Sequence, residues 1–93
     1  MSWHFMRFRR APGTLARPVG EGLEVEHPEA GQHQLSRQAA TLWRLLEVPR
    51  TLPELSRGFE ARPLLRRSTQ EVEVLLDHML CTGIVEEVIE SEL

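Results

Sequence analysis

The apolar residues of this chain change period at Ser36, and no other feature constrains the fold as tightly. Ahead of that point Leu23 and Val25 alternate with Glu24 and Glu26, the pattern of a strand that buries one face. His27-Pro28-Glu29-Ala30-Gly31 then sets Pro and Gly at turn spacing. Gln32 to Leu35 is predicted to pair back as a short return strand, with His33 and Leu35 on one face and Gln32 and Gln34 on the other. Beyond Ser36 the spacing becomes helical. Ala39, Leu42, Trp43 and Leu46 recur at i, i+3, i+4 and i+7, Ser36 is placed as the N-cap, and Pro49 closes the helix.

Two more helices follow on the same logic. Thr51-Leu52-Pro53-Glu54 has the form of a capping box, with Leu52, Leu55 and Phe59 supplying a short buried face that ends near Glu60. After a connector from Ala61 to Arg67 that contains Pro63, Ser68 and Glu71 make a second capping box. Val72, Leu75, Leu76, Met79 and Leu80 give the clearest helical spacing in the chain, and Gly83 is placed to end it.

The ends are less regular. Met1 to Phe8 offers Trp3, Phe5, Met6 and Phe8 as anchors of a strand or a docked arm, and Ala11-Pro12-Gly13 breaks it. Leu15 to Val19 reads as a strand that Pro18 confines to an edge or a strand end. Ile84, Val85, Val88 and Ile89 continue as a short strand or packed tail before an acidic end. One domain over 1–93 is expected: an arm or extra strand over 1–14, a sheet over 15–35, three helices over 36–83 and a tail over 84–93. The fold class is α+β, a short antiparallel three-stranded sheet followed by three helices, like a winged helix-turn-helix.

Ninety-three residues support one modest core and no deep interdomain cleft, so an elaborate active site is not expected. All 11 basic residues are arginine and stand against 14 acidic ones; the formal net charge of -3 gives no general attraction for nucleic acid. With Cys81 alone, no intramolecular disulfide can form. No apolar run is long enough to cross a bilayer, so a cytoplasmic location and no membrane partner are expected. His4, His27, His33 and His78 are scattered without ligand spacing, and no metal, cofactor or catalytic residue is expected. Cys81, beside apolar neighbours, reads as a buried structural thiol.

The ordered segments His27 to Ser36, Ala39-Ala40, Leu42 to Leu46, Arg50 to Leu55 and Val72 to Ile84 together resemble the PqqD family, which includes the precursor-peptide recognition elements of ribosomally made, modified natural products. The likeness spans roughly Leu15 to Val88. Trp3, the segment from Gly31 to Leu35 and the overall length look like the PqqD-like peptide chaperones found beside kinase-related maturation systems. Two departures are plain: the histidine is displaced by one position, and Ser36 stands where the family usually has asparagine.

The resemblance implies a non-catalytic domain that holds the leader segment of a precursor peptide as an added strand and presents it to a separate modifying enzyme, such as a radical SAM enzyme, a peptidase or a cyclase. It puts the peptide along Gln32, His33, Gln34 and Leu35. On the opposing helix, Val72, Leu76 and Leu80 are expected to face the groove with Glu73 at its rim, while Leu75 and Met79 enter the core; burial of all five apolar residues in the core is the alternative. A glutamate at 76 should then block binding and leave the helices intact. An exposed edge strand can also pair with itself to give a homodimer. Two alternatives share the fold. A winged-helix DNA regulator needs a basic recognition helix, but the second helix offers only Arg57 beside Glu54 and Glu60; a structural adaptor subunit of a maturation enzyme is not separable by sequence.

Overall fold

The computed structural model describes residues 5–61 and 68–88. The expected anchor Trp3, the end of the connector after Ala61 and the tail from Ile89 lie outside them. The class is α+β with antiparallel pairing throughout. In chain order the elements are β1 (Arg7–Arg10), β2 (Leu15–Val19), β3 (Gly22–His27), β4 (Gly31–Leu35), α1 (Arg37–Leu45), β5 (Arg50–Thr51), α2 (Leu52–Glu60), α3 (Thr69–Cys81) and β6 (Val85–Glu87).

The expected sheet is present in the order β2-β3-β4. Its register sets Val25 opposite His33 and Leu23 opposite Leu35, so one face carries Leu23, Val25 and Leu35 into the core. The other face carries Glu24, Glu26, Gln32 and Gln34, as a two-residue side-chain period requires. Gly22 is needed where β3 begins, because a Cβ there would lie 1.9 Å from the carbonyl oxygen of Leu35. Replacing Gly22 by Ala is expected to cost about 1–3 kcal/mol and to move the amide signals around Leu35 and Ser36, read by chemical denaturation and NMR.

A second sheet, β5-β1-β6, was not legible as such in the sequence. Its strands have four, two and three residues, too few for a period to show. It joins the chain ends: Phe8 pairs with both Arg50 and Glu87, Ala11 N–H donates to the Ile84 carbonyl at 2.9 Å, and Arg9 Nε donates to Glu86 Oε2 at 2.7 Å. Phe8, fully buried, carries β1 into the core, whereas Phe5 is exposed.

The core lies between the sheets and the helices. It gathers Leu42, Trp43 and Leu46 from α1, Leu52, Leu55 and Phe59 from α2, and Val72, Leu76 and Met79 from α3. Each such side chain contributes about 1.5–3 kcal/mol by leaving water. Arginine side chains donate to carbonyls in the last turn of α1, where a positive charge also suits the helix dipole. Arg10 Nε and Nη2 donate to the Trp43 carbonyl at 3.0 and 2.8 Å, with the guanidinium 4.8 Å above the indole, and Arg50 Nε donates to the Leu45 carbonyl at 2.6 Å. Burial lowers the pKa of Arg10, with the charge of Glu47 working against the shift.

All three expected caps form. Ser36 Oγ accepts from Ala39 N–H, and the capping boxes of Thr51 with Glu54 and of Ser68 with Glu71 are both complete. The backbone N–H of Thr51 and then its hydroxyl hold the Glu54 carboxyl below its ordinary pKa. A depressed carboxyl stabilises the fold above its unfolded pKa, and the contribution disappears as pH falls through the folded value. Stability between neutral and acid pH should therefore fall less steeply in Glu54→Gln than in the parent chain, as measured by denaturant midpoints.

Candidate functional site

Among the described residues nothing pairs with the two outer strands of the sheet β2-β3-β4, and these two edges differ chemically. On β2, Pro18 and Arg17 interrupt the row of backbone donors and add a charge, both of which discourage a further strand. On β4, the sequence Gly-Gln-His-Gln-Leu has neither proline nor charge over five residues. The edges of the other sheet are β5 and β6, two and three residues long. Among the described strands, β4 is thus the one long edge with nothing to deter pairing.

The turn ahead of β4 is held by its own side chains. His27 Nδ1 accepts from the backbone N–H groups of Glu29 and Ala30 at 3.0 and 2.9 Å. Gly31 closes the turn at φ +80°, a conformation that favours glycine. His33 is half-buried on the inner face, and its Nε2 lies 2.9 Å from the Ala30 carbonyl. A carbonyl only accepts, so Nε2 donates. The start of β4 is fixed by these bonds.

Where β4 ends, Ser36 caps α1, and the first turn of α1 borders a cleft of about 400 Å3. Gln38 lines one side; Glu71, Val74 and Leu75 of α3 line the other. Val74 is 65% exposed and stands beside the half-buried Leu75, so the α3 side of the cleft is partly apolar.

This geometry corrects the expected partition of α3. Val72 and Leu76, expected in the groove, are wholly buried in the core with Met79, while Leu75, expected in the core, is only partly buried and lines the cleft. Leu80 is partly buried against the core, about 140° around the helix from Leu75 at 100° per residue. Glu73 is not at the rim of this cleft. It lines a separate depression with Gln70, Val74 and Asp77 on the other flank. Five apolar positions at helical spacing do not say which flank faces α1 and which faces the sheets; the packing of α3 on both decides it. Cys81 is exposed rather than buried, because it stands about 200° around the helix from Met79.

The four expected positions on β4 do share one edge, and Leu35 is buried at its end. Sequence reasoning missed Gln38 and Val74. A signal for Val74 was available: an aliphatic residue between Glu73 and Leu75 that falls outside the stripe of the helix. Arg57 is the sole basic residue described on α2, exposed between Glu54 and Glu60. Among the described residues no three His, Cys, Asp or Glu side chains are grouped to hold a metal ion, and no helix is long and apolar enough to cross a membrane. Comparison of the chain with family models, curated proteins and solved structures gave no match.

Proposed function

We propose that this domain binds the leader segment of a ribosomally made precursor peptide as an added strand on β4 and presents the remainder to a separate modifying enzyme. The observation that carries the reading is the pairing of an uncharged, proline-free edge with a partly apolar cleft where that edge ends. Alternate residues of β4 leave backbone N–H and C=O groups directed away from β3, and these supply affinity without regard to sequence. Selectivity comes from side chains. Those on the inner face of the added strand run past His33 and Leu35 toward Val74, Leu75 and Gln38, and those on the outer face lie beside Gln32 and Gln34.

The domain supplies effective concentration rather than chemistry in this reading, so it requires no cofactor. The resemblance to the PqqD family supports it through the β4 segment, whereas Val72 and Leu76 of α3, which that resemblance puts in the groove, are buried in the core. DNA regulation finds less support, since α2 presents Arg57 between two glutamates and α3 exposes Glu71, Glu73 and Asp77.

The test is an amide-shift titration of the labelled domain with a synthetic leader from the open reading frame adjacent to its gene, and separately with duplex DNA. Shifts confined to residues 31–35, Gln38, Val74 and Leu75 with the peptide alone are expected. Shifts that spare β4 would sink strand addition, and shifts with DNA in place of peptide would favour a regulator.

A further inference from the structure

We propose that β4 also pairs with β4 of a second copy of this chain, about a two-fold axis at His33, and that this self-pairing covers the edge until a peptide displaces it. The covering role rests on the strand-addition reading given above; the self-pairing does not. The edge is palindromic at its centre, with Gln32, His33 and Gln34 reading the same in both directions. An antiparallel partner related by a two-fold axis therefore places Gln32 opposite Gln34 of the second copy, and Gln34 opposite its Gln32.

The chemistry of those pairs is favourable on both faces. On the solvent face, where Gln32 and Gln34 are exposed, amide meets amide, and each can donate to and accept from the other. No like charges oppose one another, because β4 has none. On the inner face His33 meets His33 of the second copy, and Leu35 meets Gly31, whose lack of a side chain leaves room. The two three-stranded sheets would join as one continuous sheet with β4 against β4 at its centre. The opposite edge cannot do this, since Pro18 interrupts β2.

Size argues that the pairing is weak, as a cover must be. A stable interface buries roughly 1,000 Å2 or more, and a contact limited to one five-residue strand from each copy falls short of that. A leader makes the same backbone bonds and also fills the cleft beside Val74 and Leu75, which β4 of a second copy has no side chains to reach. The peptide therefore wins the competition. Free domain self-associates at high concentration, and loading releases monomers.

Sedimentation velocity of the intact protein from micromolar to millimolar concentration tests this, with amide shifts locating the contact. Two double variants decide the register: Gln32→Lys with Gln34→Lys, and Gln32→Glu with Gln34→Glu. All four substitutions fall on exposed positions, and a dispersed amide spectrum checks that each variant folds. Each variant alone should weaken dimerisation roughly tenfold or more, since like charges then face each other twice, and an equimolar mixture should restore it by setting Lys opposite Glu. A monomeric parent chain at every concentration, a lysine variant that dimerises undiminished, or a mixture that fails to restore the dimer overturns the proposal. Addition of the synthetic leader should dissociate the parent dimer. A leader that shifts the β4 amides and leaves the dimer intact overturns the shared edge. A dimer that passes every other test while its β4 amides ignore the leader overturns the functional reading and the covering role, and upholds self-pairing alone.

Discussion

Leu76→Glu is expected to abolish the cooperative thermal transition and the dispersed amide spectrum together. Leu76 is fully buried between Val72 and Met79 in a core shared by all three helices. Removing its side chain to alanine would by itself cost about 2–5 kcal/mol, and forcing a carboxylate into the same space adds several more unless the group takes up a proton. A domain of this length has about 5–10 kcal/mol to lose. The sequence expectation, that a charge at 76 would block a groove and spare the helices, therefore fails. Leu76→Ala serves as the graded control: it should fold, with Tm lowered by roughly 10–30 °C. A Leu76→Glu chain that melts like the parent would mean that α3 turns a different face to the core.

That reversal shows where the sequence stops being informative. β3, β4 and the start of α1 were legible to within a residue because three local signals agreed there: alternation through Val25, a turn through Pro28 and Gly31, and a cap at Ser36. The capping boxes at Thr51 and Ser68 were equally plain, since each is closed by a residue three positions away. The strand from Gln32 to Leu35 followed from the same local rules, and no described strand pairs with its outer side.

The rotation of α3 did not follow, because it depends on which neighbours the helix meets. Val72, Leu75, Leu76, Met79 and Leu80 span a stripe wide enough to touch the core and both flanks, and their spacing carries no label for either flank. The sheet β5-β1-β6 was hidden for a related reason. It is built from three short segments that are distant in sequence, so its pairing is a property of the folded chain. Phe8, Arg10 and Val85 look unremarkable in isolation, yet Phe8 and Val85 enter the core and Arg10 ties β1 to α1.

Val74→Glu should leave the fold intact and weaken leader binding about a hundredfold, which corresponds to about 2.7 kcal/mol. The side chain at 74 is mostly in water, so a carboxylate there costs the free protein little beyond about 0.2–0.5 kcal/mol of repulsion from Glu71 and Asp77, its helical neighbours at i−3 and i+3. In the complex the same carboxylate would stand in the cleft opposite Gln38, against an apolar side chain of the added strand, and lose its water without gaining a partner. Val74→Leu keeps the apolar surface and should bind within a few-fold of the parent. Titration calorimetry with the synthetic leader reads both variants, and their melting curves show that folding is unchanged. Equal affinity for Val74→Glu and the parent would take the outer face of α3 out of the site and leave recognition to the β4 backbone, whereas a loss in Val74→Glu that Val74→Leu does not share would place the peptide between β4 and α3.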